Sequence, residues 1–298
     1  MKYLNPKADL TFKRVFGEHP DLVMSLLNAL LPLKKEEEIA DIEYLPSDLV
    51  PDNPLRKYSI VDVRCKDKLG RQFLVEMQMI WSPEFRQRVL FNASKAYVRQ
   101  LEKGEEYELL QPVYSLNLVN EVFEPDLRGY YHHYSLVHVE HSDKVIDGLQ
   151  LIFVELPKFT PQTFSEKKMH VLWLRYLTEI GEQTREVPEE LLSEPAINKA
   201  LNVLEESGFN DAELAGYEKF WDGVSVEKTL YNSGMRKGLA EGLEKGKAEG
   251  LAEGEARGEA RGKTEERRRM AIEMKQSGMP TEQIVRYTGF IAEEIKKL

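Results

Sequence analysis

The chain is 298 residues long, 42% apolar and 31% charged, a globular composition that supports a sizeable core and excludes wholesale disorder. Its length predicts about two domains, or one large domain with appendages. The single cysteine, Cys65, excludes an internal disulfide framework and fits a reducing compartment. No apolar stretch approaches the ~18 residues needed to cross a bilayer, and the N-terminal MKYLNPKADL has no apolar signal core. The expectation is a soluble, cytoplasmic protein with no membrane partner.

A net charge of −10 read as one number argues against a nucleic-acid partner. Charge acts by patch, however. Between Arg56 and Lys103 there are 11 Lys+Arg against 5 Asp+Glu, so this stretch is basic inside an acidic chain. The acid lies elsewhere, in KKEEE at 34–38 and in the stretch 179–222.

In chain order, residues 1–30 read as helical, with an apolar pattern at Leu22, Leu26, Leu27 and Leu30 after a Pro20-Asp21 start. Strand-like runs follow at 39–45, 58–66 and 71–79. Residues 84–103 form an amphipathic helix ended by Gly104. Further strands are expected at 112–123, 131–140 and 149–156, and from about 165 to 230 the pattern is helical throughout. The order is that of a mixed α/β domain of roughly 160 residues with a helical extension.

The C-terminal part differs in composition. A glycine falls at every fourth residue from Gly234 to Gly262, among Ala, Glu, Lys, Leu and Arg. In a helix each glycine costs about 1 kcal/mol against alanine, but together they form a stripe without side chains that a second helix could approach closely. Self-association and a low-complexity spacer are both consistent with this pattern. In the last segment, 267–298, Ser277-Gly278 breaks one helix, Thr281 is placed to cap a second, and Gly289 separates a third, a spacing like a small helix-turn-helix. A plain three-helix cap reads equally well.

The chemistry concentrates at 58–79. Alternation puts Val61, Val63 and Cys65 on one face of the first strand, and Phe73, Val75, Met77 and Met79 on one face of the second. The opposite faces carry Asp62 and Arg64, then Leu74, Glu76 and Gln78. Lys68-Leu69-Gly70 suits a three-residue hairpin loop with glycine left-handed. That loop pairs Asp67 with Arg71, Val63 with Val75 and Val61 with Met77, and sets Asp62 opposite Glu76 with Cβ atoms about 5 Å apart. Two opposed carboxylates repel unless a cation or a basic side chain sits between them. A hard divalent ion such as Mg²⁺ (or Mn²⁺) accepts such oxygen ligands, and Gln78 on the same side is placed to orient a water or a phosphate oxygen. The plainer alternative is surface ion pairing with Arg64 or Lys57.

In the helix that follows, Phe85, Val89, Ala93, Ala96, Tyr97 and Leu101 make an apolar stripe, while Arg88, Asn92, Lys95 and Arg99 share the other side. A cationic row beside paired carboxylates suits a phosphate backbone; a solvated helix face is the alternative. Other signals are weaker. Gly258 to Thr264 lacks the glycine that a phosphate-binding loop needs, since position 257 is Arg. Among His132, His133, His138 and His141 only His132 and His138 share a strand face, so a histidine metal site is poorly supported.

Asp62, a hairpin, then Glu76-Met77-Gln78 resembles the D…(D/E)-x-K signature of PD-(D/E)XK nucleases, with Gln in the lysine's place. With NPKADLTFKRVFG (5–17), the run 85–113 and the glycine-tetrad tail, the chain resembles the Rpn family of recombination-promoting nucleases and transposases. The resemblance implies an α/β fold with a PD-(D/E)XK restriction-endonuclease-like core (helix, mixed sheet, helix) and a C-terminal helical extension. It implies a Mg²⁺-dependent DNA endonuclease linked to recombination or mobile elements. Asp62 and Glu76 would be the metal ligands, Gln78 would stand at the lysine position and Asp9 would be the acid of the first helix. DNA would be met by Lys13, Arg88, Lys95 and Arg99. Residues 1–165 would be the nuclease domain, 166–230 a helical region, 231–269 a glycine-tetrad linker that makes a homo-oligomer, and 270–298 the helix-turn-helix-like cap. A neutral glutamine lacks lysine's fixed charge, so the alternative is a catalytically weak or inactive DNA-binding scaffold that keeps the fold.

Overall fold

The computed structural model describes residues 2–49, 59–161 and 168–298. Two compact units divide the chain, Met1–Lys228 and Thr229–Leu298. The first opens with α1 (Asp9–Gly17) and α2 (Pro20–Leu30). The helical expectation for 1–30 thus resolves into two helices: Pro20 fixes the first turn of α2, and the residues just before a proline resist helical backbone. The strands follow as β1 (Ile42–Tyr44), β2 (Asp48–Leu49), β3 (Ser59–Ile60), β4 (Val63–Asp67) and β5 (Gln72–Gln78). Next come α3 (Pro83–Val98), β6 (Val113–Val119), β7 (Tyr131–Val137) and β8 (Val145–Glu155). The helix expected to reach residue 103 stops at Val98.

A six-stranded mixed sheet runs β1-β4-β5-β6-β8-β7. β5, β6 and β8 are parallel and the other pairings antiparallel. β5 and β6, joined through α3, are the parallel crossover that places a helix on a sheet face. The β4–β5 hairpin has the expected register, with Val63 opposite Val75 and Lys66 opposite Gln72. Its loop turns on Gly70 at φ +84°, where a Cβ would be strained. Asp67 stabilises the turn, its carboxylate accepting from the Leu69 and Arg71 amides at 3.0 and 2.9 Å and from Arg71 Nε at 2.7 Å.

Each sheet face has its own core. One carries Val63, Cys65, Phe73 and Val75 against α1, α2, α4 (Lys168–Glu179) and α6 (Pro195–Val203), centred on buried Phe12, Phe16, Trp173 and Tyr176. Side chains of this size contribute roughly 1.5–3 kcal/mol each on burial. The other face is covered by α3, whose Ala93 and Ala96 meet Leu74 and Val113, and whose Phe85 and Val89 meet Val119 and Phe153. Residues 168–230 are not one helical run. Turns separate α4, a short α5 (Glu189–Leu192) and α6 ahead of Pro188 and Pro195, before α7 (Asp211–Gln276) begins.

All eight tetrad glycines lie within α7, and a Cβ added at any of them meets nothing within 4 Å. In the second unit, the last turns of α7 join α8 (Thr281–Thr288) and α9 (Ala292–Lys297) around Ala271, Ile284 and Ile295. Gly278 and Gly289 take left-handed backbone at the two breaks. Thr281 is the first residue of α8 and not its cap; Pro280 holds that position without a side-chain hydrogen bond. Among the described residues no helix is long and apolar enough to cross a membrane.

Candidate active site

The β4–β5 ladder ends one residue short of the expected Asp62–Glu76 pair. Val61 does not follow Val63 onto the core face but turns to the α3 side, among Leu49, Leu74 and Ala93. At this bend the Asp62 side chain replaces the ladder, Oδ2 accepting from the Met77 amide at 2.7 Å. The expected Val61–Met77 pairing is therefore absent, because a carboxylate satisfies the Met77 N–H that a strand carbonyl would otherwise take. Asp62 is half-buried; Glu76, within β5, is 4% exposed. Both line one open cavity of about 1080 Å³ between the end of β5 and the first turns of α3.

Their electrostatics follow from burial. Desolvation pushes the Glu76 carboxyl up to about 7, and the Asp62 charge adds to the rise, against the pull of an Asn92 hydrogen bond and the Arg88 charge. Asp62 is raised as well, by burial first, with the Met77 amide and the Lys13 and Arg88 charges opposing and Asp9 assisting. Burial is the main cause for both carboxyls, with the Asp62 charge adding to the rise at Glu76, so positive charge at this wall would be favourable.

α3 supplies the rest. Asn92 is fully buried and faces the sheet, its Nδ2 donating to Glu76 Oε1 at 3.1 Å. Of the row expected along one side of this helix, Arg88 and Asn92 both reach Glu76 at the end of β5, and Asn92 is buried there. Asn92 Oδ1 is also buried and has no hydrogen-bond partner among the described residues, an unmet acceptor beside a carboxylate. One turn earlier, Arg88 Nη2 donates to Gln78 Oε1 at 2.6 Å and lies 3.6 Å from Glu76 Oε2. Gln78 Nε2 in turn donates to the Ile80 carbonyl at 2.5 Å. Both ends of the Gln78 amide are engaged.

The cavity's sign matters. A second cavity of about 950 Å³ is lined by Glu179, Glu182, Glu186, Glu218 and Asp222 with Arg185 alone opposing them, the wrong charge for a phosphate. At β5 and α3 the lining acids are fewer, Asp62, Glu76 and Glu84, and Arg88 stands beside the carboxylate pair.

A family model for the PD-(D/E)XK nuclease family transposases matches residues 6–223, most of the chain. The chain belongs to this family. No curated protein and no solved structure matches it significantly. The matched span of this PD-(D/E)XK chain takes in the whole sheet, α3 and the first turns of α7, and ends before the glycine tetrads.

The remaining residues expected at the site fall at different distances from it. Asp9 and Lys13 pair with each other along α1 at 2.7 Å, and both are felt by Asp62. Lys95 donates to the Leu49 carbonyl and its ammonium lies 5.4 Å from the centre of the Phe91 ring. Arg99 caps the end of α3 near Arg64. Arg64 itself donates to Gln72 and to the Pro46 carbonyl, so it does not neutralise the carboxylate pair; Lys57 lies outside the described residues. Cys65 is buried with its thiol pushed up to about 12 by desolvation, an inert core position. His132 contacts Glu155 at 2.9 Å, and Glu155 also takes the Phe123 and Glu124 amides and Lys158, a structural network under the β6–β7 connection. Among the described residues no three or more His, Cys, Asp or Glu side chains converge on one metal-sized point.

Proposed function

We propose that this PD-(D/E)XK chain is a divalent-metal-dependent DNA endonuclease serving recombination or mobile-element chemistry, with Asp62 and Glu76 as metal ligands. The observation that carries the reading is the two carboxylates on one cavity wall, both raised chiefly by burial, with an arginine and an unpartnered buried amide oxygen beside them. These residues fit a hard cation. Two carboxylates and a neutral oxygen such as Asn92 Oδ1 are ligands that Mg²⁺ or Mn²⁺ takes while keeping several waters. When bound, such an ion lowers the pKa of a coordinated water and neutralises charge developing on a phosphate.

The chain's own residues have separate tasks. Asp62, fixed by the Met77 amide, holds its second oxygen in a set direction. Asn92 fixes the rotamer of Glu76 through Oε1. Asp9 and Lys13 tune the field at Asp62 from α1. Lys95 and Arg99 continue the positive edge along α3 for the flanking phosphates. The long α7 beyond residue 231, with exposed Leu239, Leu243 and Leu251 beside its glycines, is the element through which copies would associate.

Supercoiled plasmid is the test. Wild type should nick with Mg²⁺ and stop in chelator, and Asp62→Ala or Glu76→Ala should abolish nicking while keeping the circular dichroism spectrum. Nicking that survives both substitutions in a nuclease-free preparation removes the proposal. Binding without nicking by wild type points instead to a scaffold that retains the nuclease fold.

A further inference from the structure

The position that the D…(D/E)-x-K motif gives to lysine is here a neutral amide that is already committed. Gln78 Nε2 donates to the Ile80 carbonyl at 2.5 Å and Gln78 Oε1 accepts from Arg88 at 2.6 Å, so this side chain has no charge to offer a phosphate and one of its two amide N–H groups is already committed. The nearest cation is the one bound to it. Arg88 is on α3, not β5; its guanidinium lies 3.6 Å from Glu76 Oε2 and 4.7 Å from the centre of the Phe85 ring, and about half of its side chain is open to the cavity that Asp62 and Glu76 line. Three contacts from two elements thus fix an exposed arginine at the carboxylate pair, more order than a solvated surface arginine carries.

We propose that Arg88 is the catalytic cation of this enzyme, supplying from α3 the positive charge that the strand motif lacks, with Gln78 as the positioning residue that aims it. The inference rests on the nuclease reading above. In hydrolysis the water oxygen bonds to phosphorus and the bond to the leaving ester oxygen breaks. The electron pair goes to that oxygen, which takes a proton from solvent, and the attacking water gives one up to solvent. Arg88 transfers no proton. Its N–H groups donate to the non-bridging oxygens as negative charge grows on them, a fork geometry that suits phosphate. Gln78 holds the guanidinium off Glu76, so that the arginine does not close on the carboxylate as a tight ion pair.

The experiment compares single-turnover nicking of supercoiled plasmid with Mg²⁺ against binding of a fluorescent duplex in EDTA. Arg88→Ala should slow nicking by about 10²–10³-fold, as loss of one preorganised transition-state donor does, while duplex affinity falls by less than about 5-fold, because one phosphate contact among several is lost. Arg88→Lys should keep a substantial part of the rate. The deciding variant is Arg88→Ala with Gln78→Lys, which returns a cation to the strand position: nicking should recover by about tenfold or more with no further change in affinity. Gln87→Lys in the Arg88→Ala background adds the same charge to the wall of the same cavity and should recover nothing. Wild-type rates from Arg88→Ala, a rate loss no larger than the affinity loss, or equal recovery by the two lysines would overturn the assignment and leave the nuclease reading standing. A wild type that binds duplex and never nicks would overturn both.

Discussion

Replacing Glu76 by Gln should stabilise the metal-free protein in alkaline buffer and do little in acid. Glu76 is 4% exposed and its carboxyl is pushed up to about 7 from an ordinary 4.5, chiefly by desolvation. The folded state therefore binds a proton more tightly than the unfolded chain. Between those two values the folded state holds more protons, so stability falls as pH rises and levels off above about 7. At about 1.4 kcal/mol per pKa unit the full cost of ionising Glu76 is about 3 kcal/mol, an upper bound because water and side chains relax around the charge. Near pH 8, Glu76→Gln removes that charge and keeps an oxygen for the Asn92 Nδ2 hydrogen bond. For a unit of this size, each kcal/mol is worth roughly 2–4 °C in Tm, so a rise of several degrees is expected near pH 8. Near pH 5 wild-type Glu76 is already protonated, and the two proteins should melt together. Differential scanning calorimetry in EDTA at the two pH values reads both numbers. A Gln variant less stable than wild type near pH 8 would show that Glu76 is not held charged at a cost, and the case for an unmet cation there would fail.

Other predictions follow from neighbouring features. Asn92→Leu should lower nicking by an order of magnitude or more and leave unfolding free energy within about 1–2 kcal/mol of wild type, because it frees the Glu76 rotamer while removing an unpartnered buried oxygen. Glu155→Gln should destabilise by about 2–4 kcal/mol by thermal melting, since it removes the ion pair with Lys158, leaving that ammonium only the Glu124 and Leu127 carbonyls, and weakens two amide contacts. Burial alone would raise the Glu155 carboxyl, but the bonds from Lys158, the Glu124 and Phe123 amides and His132 outweigh it and hold it low. Its contribution to stability is accordingly present above the ordinary glutamate range and lost as pH falls through the lowered value. Truncation after Tyr231 should leave nicking intact and convert an oligomer to a monomer by light scattering; an unchanged number of subunits would remove the tail's proposed role.

The hairpin register was legible because loop length, glycine position and the alternation of Val63, Cys65, Phe73 and Val75 all demand the same pairing. The succession of strands along the chain and the helix after β5 were legible from periodicity, but the order β1-β4-β5-β6-β8-β7 within the sheet was not. The bend at Asp62 was not. A period-two reading assumes a straight strand, and nothing in the residues around Val61 announces that a side-chain carboxylate will take the Met77 amide. The burial of Asn92 against Glu76 was not legible because helical spacing gives a shared side with Arg88 but not which residue of that side crosses the sheet end. The Arg88–Gln78 contact joins residues on different elements, so spacing alone does not reveal it; the one available hint was a lysine position filled by an amide with an arginine on the next helix. The breaks within 168–230 were signalled by Pro188 and Pro195 but were outweighed by the helical composition around them.

Asp62 and Glu76 are proposed to bind one ion together. Titrating Mn²⁺ into metal-free protein and counting free ion by electron paramagnetic resonance measures this without any turnover. A site in wild type that weakens by at least tenfold in Asp62→Asn and again in Glu76→Gln is the expected result. Unchanged Mn²⁺ affinity in both variants would contradict it.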